Sequence, residues 1–467
     1  MKKFKNLIIG TIGFVALFYT NQLDFGFNIA IYAMLLLVLL IQNSEAKKDL
    51  GFWWLALAAF ISILAFAYYA DAYSFLALFT AIGGLSIKIQ FPTYSRLMYP
   101  VVAFISGITS PFRFLMFPNW IPKNLNRNHF GHKFLLYFIV PGLILSVFIL
   151  VYSGGSDIFA SFFENFFLQF SFGKIILLGL IGLAISFNLW YYFSTKEVDQ
   201  TNDEIREDFN DSEILIFSEK LENPKANYSR ISGVISMSLV NIALLAFLFS
   251  YNYEQFFQIQ NVMNLSAETH QRVETVILSI VLAIGIILFY FRSVFNFDPK
   301  AKNLRNLTFI WMILNLLLIM STLLKTLNYI EIFGLTYKRI GVLTFLGLSV
   351  TGLIYTFLKI KYKKTNSYLL VRMMKVGCMV FIMGSWINFS WLVTKYNTTF
   401  QQQADFYYLR GLKYNHLLMQ KVYKNDPRWG DFRDTAKDRN QYQKKIPFLD
   451  RNFYEFVVLS EKELKTN

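Results

Sequence analysis

Cysteine, histidine and charge are what this 467-residue sequence has least of: one Cys, four His, and Asp, Glu, Lys and Arg at 16% of positions. A lone cysteine, Cys378, excludes an intrachain disulfide framework. Four histidines are too few for a haem or multi-metal bundle built on imidazole. Soluble chains average about 25% charged residues, so a chain at 16% cannot cover a core of its own with charge. Also missing are a P-loop, a dinucleotide fingerprint, a nucleophile elbow and an H-E-x-x-H helix. No cofactor is implied, and no catalytic motif points to an enzyme.

What the sequence has in plenty is apolar surface, with 55% hydrophobic and 18% aromatic residues. The formal charge of +15 is not a nucleic-acid footprint. It is divided into short clusters between apolar runs: Lys2, Lys3 and Lys5; Lys47 and Lys48; Lys359, Lys361, Lys363 and Lys364. That is how membrane proteins anchor cytoplasmic loops. The bilayer core takes about 20 apolar residues in helical form, and backbone groups in lipid must be paired within the segment. Apolar runs of suitable length lie at 5–21, 25–41, 51–70, 72–89, 97–117, 134–153, 174–193, 231–250, 273–293, 307–328, 340–360 and 373–393. The first follows three lysines but no small-residue cleavage site, and it reads as a retained helix.

Counting Lys and Arg orients these spans. With the amino terminus inside, the loops 42–50 and 88–96 fall inside, but twelve spans would put the basic loops 294–305 and 359–372 outside. The run 97–117 holds Pro100, Pro111 and Arg113. Read as re-entrant or interfacial, it leaves about eleven spans (10–13) and every basic loop inside. The expected fold is therefore all-α, a polytopic helical bundle over 1–393 in a membrane, with its carboxyl-terminal tail outside.

Three segments stand apart from the spans. Over 157–172, Phe159, Phe162, Phe163, Phe166, Phe167 and Phe170 form one helical stripe, the pattern of an interfacial helix or of a helix packed on its own bundle. The loop 194–230 carries ten acids against five bases and reads as solvated and cytoplasmic. The tail 394–467, with fourteen bases and nine acids, is expected to pack on the outer face. Besides the lipid bilayer, the tail and the acidic loop are the surfaces where other membrane proteins can meet this chain.

Ionisable and amide groups inside spans are functional suspects. Lys325 lies near the end of its run, where it either lines a polar cavity or snorkels. Asn188, Asn241, Asn315 and Asn388 either bond between helices or share a substrate site. His129 and His132, three apart, lack a third ligand, and Asp431, Asp434 and Asp438 are interleaved with Arg433, Lys437 and Arg439. Neither group reads as a metal site. Gly10/Gly13, Gly179/Gly182 and Gly377/Gly384 are expected close-packing points. Gly334 can stop a helix and Thr336 can cap the next; beside them, Lys338 and Arg339 form a basic pair that can meet an anion, a lipid phosphate or Glu331.

The run Pro141 to Phe159, the segment Thr269-His270-Gln271, the stretch Asn328 to Gly341 with its Gly-Leu-Thr-Tyr-Lys-Arg core, the exit Trp391–Asn397 and the late run from Phe453 resemble an uncharacterised bacterial multi-pass family, domain of unknown function 4173. The resemblance covers about 130–465 and implies a cytoplasmic-membrane protein with its tail outside; it assigns no catalytic residue. Two functions follow. One is a non-enzymatic scaffold, sensor or assembly partner; the other is a transporter or channel with a polar cavity near Lys325 and the mid-span asparagines. An enzyme acting on lipid or glycan is a third and lacks any residue pattern.

Overall fold

A computed structural model of the chain describes residues 1–19, 26–42, 49–116, 172–221, 224–257, 284–285, 287–291, 294–401, 405–424, 426–427 and 447–457. Among the described residues the regular structure is helical throughout, and eight helices are long and apolar enough to cross a membrane. Two expected spans, α1 (Lys2–Phe18) and α2 (Phe27–Gln42), are shorter, at 17 and 16 residues. The span 134–153, the Phe-rich segment short of Phe172, most of 273–293, and the His129/His132 and Asp431–Asp438 groups lie outside the described residues. The chain divides into two compact units. The first is Met1–Asn202 with Phe381–Ile387 and Asp426–Asn467; the second is Asp203–Val380 with Asn388–Asn425. Residues 394–425 fall in the second unit and 426–467 in the first.

In the first unit, α1 to α4 (α3 Leu50–Tyr69, α4 Ala72–Gln90) form successive hairpins. The turn at 70–72 shows why it is tight. Ala70 takes a left-handed conformation (φ 50°) to end α3, and Asp71 starts α4 with a capping box shared with Ser74. Such caps satisfy amide groups that a helix end leaves unpaired. The helix α6 (Phe172–Trp190) packs antiparallel on α1. Small residues let the backbones close: Gly10 faces Ser186, and a Cβ added to Gly182 would sit 2.8 Å from Phe14. Gly13 meets Leu35 and Gly384 meets Tyr73, whereas Gly179 and Gly377 face open space. Four of the six glycines singled out in the sequence are therefore packing points.

The helix α5 (Tyr99–Leu115) passes the length and hydropathy test for a span, but its contacts lay it across one end of the unit. Its first turn packs at Gly84 and Ile87 of α4 and against Val198. Its middle meets Phe193, through Ser106, and its last turn meets Phe187 and Tyr191 at the end of α6. All of these partners lie within about two turns of the end that holds Lys3 and Gln90. A spanning helix of 17 residues would advance about 25 Å along the bundle. The outward side of α5 is a stripe of exposed Phe104, Ile108 and Phe112, and its inward side holds Ser106, Ser110 and Arg113.

In the second unit, α7 (Lys196–Glu204, completed from the first unit) leads to α8 (Asp211–Leu221) and the 34-residue α9 (Pro224–Phe257). Helix α10 (Lys302–Phe333) lies parallel to α9: Gly233 sits beside Leu304, Asn241 bonds Leu307 and Tyr251 bonds Thr322. Of the expected 273–293 span, the described residues 287–291 end beside Lys359. Helix α11 (Tyr337–Lys361) turns back along α10, and α12 (Asn366–Trp386) follows. The tail adds α13 (Phe389–Phe400), α14 (Phe406–Arg410) and α15 (His416–Tyr423).

Candidate functional site

One cluster of polar side chains in the first unit lies where α4, α5 and α6 end. Helix α6 leaves its last carbonyls without intrahelical partners. Ser86 and Gln90 donate to Leu189 O, the Gln90 amide at 2.9 Å, and Arg113 donates to Tyr191 O. The Ser106 hydroxyl answers both main-chain groups of Phe193, accepting from its N at 2.9 Å and donating to its O at 3.1 Å. Arg113 also donates to Ser106 O at 2.8 Å and lies 5.6 Å over the rings of Phe187 and Phe193. Burial pushes the neighbouring Tyr192 hydroxyl up to about 12. At the same end Lys88 pairs with Asp49 at 2.6 Å and holds its carboxyl below the usual carboxylate range.

The second unit has a charged end and an amide-clamped end. At the first, Asp298 is 2% exposed and accepts from Arg230 at 2.7 Å and from Lys300 N at 2.8 Å, while Arg305 donates to its carbonyl. Lys359 is 0% exposed, and its Nζ donates to Phe291 O at 2.7 Å. Asn296 shares that carbonyl, and Asn366 donates to Leu288 O. A cation at a helix carboxyl terminus is favourable twice over, by hydrogen bond and by dipole. Glu207 pairs with Arg372 at 2.7 Å, and Asp208 with Lys364.

At the opposite end the chain reverses at Gly334 (φ 80°), where a Cβ would meet Asn397 Oδ1 at 2.7 Å. Asn397 clamps the turn by accepting from Leu335 N at 2.6 Å and donating to Leu335 O at 3.0 Å. Gln401 donates to Ile330 O, which also accepts from Gly334 N, and to Glu331 O, both in the last turn of α10. A cavity of about 500 Å³ opens here, lined by Leu327, Asn328, Ile330, Glu331, Leu335, Leu343, Tyr396, Phe400 and Gln401.

The residues singled out in the sequence do not share one site. Asn188 belongs to the first unit and donates to its own helix at Ala184 O. Asn241 bridges α9 and α10 through Leu307 O, and Asn315, 0% exposed, donates to Trp311 O. Asn388 is a cap: its Oδ1 accepts from Trp391 N, and its Nδ2 reaches Tyr414 O. Lys325 lies half-buried, 5.6 Å over the Tyr251 ring. Its helix runs to Phe333, so it is two turns from the end instead of one. Thr336 caps α11 as expected. Arg339 closes the turn, donating to Phe333 O and Gly334 O while stacking 4.3 Å over Tyr329; Lys338 is exposed beside it. Among the described residues no three His, Cys, Asp or Glu come together as metal ligands.

Sequence reading missed Lys359, Asp298 and Asn397. Lys359 stood in a basic run that looks like a solvated loop, and nothing local separates it from Lys361 or Lys363. The asparagine clamp depends on residues 62 apart in sequence.

These features define a helical protein with multiple apolar, membrane-crossing-length helices, with clusters of polar side chains engaged at helix ends and turns. Residues 7–419 match the family described as domain of unknown function 4153, and the chain belongs to it. The expectation of an uncharacterised family holds, with 4153 in place of 4173. No curated protein and no solved structure matches the chain.

Proposed function

We propose that this is a multi-pass protein of a bacterial cytoplasmic membrane, amino terminus inside and tail outside, that works by holding partners and not by catalysis. The observation that carries this reading is where its charges sit. Arg113, Arg339 and Lys359 each cap helix-end carbonyls, and Arg230 and Asp298 bind each other. Such groups rigidify a frame. A solvent-facing element is left at α8, where Asp211 and Ser212 are exposed beside Leu215 and Ile216, 66% and 48% exposed. An acidic helix with apolar side chains outward is a docking element for a basic partner segment. In-membrane cross-linking followed by mild detergent extraction tests it. A stable partner recovered with the native chain and lost with Ile216→Asp supports the reading; recovery that the substitution leaves unchanged overturns it.

The orientation has its own support. Lys2, Lys3 and Lys5 mark one end of α1, and the tail residues Asp450 and Asn452 bond Asn28 and Tyr69 at the other end. With α5 flat, it adds no crossing. In a Cys378→Ser chain, Tyr407→Cys, at a side chain 70% exposed, is expected to react with an impermeant thiol reagent from outside. Reaction only after permeabilisation overturns the orientation.

A transporter reading rests on a different observation: among the described residues, Asn241 Oδ1 and Asn315 Oδ1 are buried without hydrogen-bond partners, in the same unit as Lys325. If that unit encloses a polar path, Lys325→Met abolishes complementation of a deletion strain while expression stays intact. A fully active Lys325→Met chain returns Lys325 to snorkelling.

A further inference from the structure

Helix α10 exposes Ile310, Ile313, Leu317, Met320, Leu324 and Leu327. Their spacing of three and four residues makes one continuous stripe. From Ile310 to Leu327 it measures about 26 Å at 1.5 Å per residue, close to the ~30 Å hydrocarbon core. The next position on that stripe is Glu331, which is exposed and lines the 500 Å³ cavity. The stripe therefore brings a carboxylate about 6 Å past Leu327, toward the depth of lipid headgroups. Among the described residues no cation pairs with Glu331.

The cavity is two-faced. Leu327, Leu335, Leu343 and Phe400 form an apolar wall; Glu331, Asn328 and Gln401 bring oxygen acceptors. The Gln401 amide nitrogen is already bonded to Ile330 O and Glu331 O, so its oxygen is what remains. Lys338 and Arg339 begin the next helix directly after the turn. We propose that this cavity binds a membrane lipid whose headgroup ends in a primary ammonium, as in phosphatidylethanolamine. The ammonium donates to Glu331 and Asn328, and the acyl chains follow Leu327, Leu324 and Met320 into the core. A primary ammonium carries donors for all these acceptors, whereas a quaternary one carries none. An anionic headgroup meets Glu331 with the wrong sign.

This site rests on the membrane reading above, and the two are tested separately. Release of the chain from membranes by alkaline carbonate sinks the membrane reading itself. For the site, the full chain is stripped of lipid in detergent and incubated with equal amounts of dioleoyl phosphatidylethanolamine, phosphatidylcholine and phosphatidylglycerol. It is then repurified, and retained lipid is measured by mass spectrometry. Phosphatidylethanolamine is expected in about tenfold excess, the ratio that 1.4 kcal/mol gives, and Glu331→Gln is expected to bring the ratio to near one. Leu343→Trp, which fills the cavity and leaves the carboxylate in place, is expected to lose the excess too, and it decides the matter if Glu331→Gln does not fold. Equal retention of the three lipids by the native chain overturns the proposal. So does an excess that survives both substitutions.

Discussion

The two units are held by different chemistry. In the first, α1 and α6 meet through Gly10, Gly182 and Ser186, and the contact is close because side chains are small. In the second, the Asp298 end is held by charge: Arg230 on Asp298, Lys359 on Phe291 O, Arg372 on Glu207. Packing by small residues tolerates lipid on every side but no added volume. Charge tolerates some change of shape, yet not the loss of a partner in a site from which water is excluded.

That contrast orders the expected losses. Asp298→Ala leaves Arg230 without its carboxylate at a nearly water-free position, and about 3–5 kcal/mol of stability is expected to go. Thermal unfolding in detergent reads this, and Asp298→Asn should recover only part, since it keeps the Lys300 N bond but not the charge. Gly182→Leu inserts a side chain into Phe14 and is expected to cost about 1–3 kcal/mol. The same substitution at Gly179, which faces open space, should be nearly neutral. Were both glycines to respond alike, the close-packing account of the first unit would fail. Asn397→Ala leaves both buried main-chain groups of Leu335 unanswered, for about 1–3 kcal/mol, with faster amide exchange at Leu335 as the local readout.

The smallest effect is expected at Asp49, whose pair with Lys88 is partly exposed at 16% and 44% for the two side chains and contributes under about 1 kcal/mol. The Lys88 hydrogen bond lowers its pKa in the folded chain. The contribution is therefore present above the unfolded value of about 4 and is lost as pH falls through the folded one. Melting followed from about pH 6 to pH 3 should fall less steeply for Asp49→Asn than for the native chain. A steeper fall would contradict the pairing.

Much of this architecture can be read from the sequence, because hydropathy and helix period are local. The cap at Thr336 and the stop at Gly334 are legible for that reason. Helix α5 shows the limit: length and hydropathy fit a span, and Pro100, Pro111 and Arg113 were the local signs against it. What fixes it to the end of the unit is Ser106 on Phe193 and Arg113 on Tyr191, 87 and 78 residues away. Glu331 reads locally as a neighbour for the basic pair and not as part of the helix, because the apolar run closes at 328 while the helix continues to Phe333.

The tail contact in the first unit has a temporal side. Gly26 lies under the main chain of Asp450 and Arg451, Phe27 N donates to Arg451 O, and Asn28 donates to Asp450 at 2.9 Å, across 422 residues of sequence. Asn28 belongs to α2, and its carboxylate partner is made after every helix described before it. Synthesis at about 5–20 residues per second leaves that end of the unit open for roughly 20–80 seconds. For that interval Asn28, 0% exposed once docked, has to be answered by water, by lipid headgroups or by the insertion machinery. A chain that stops before residue 450 therefore lacks the carboxylate to which Asn28 donates.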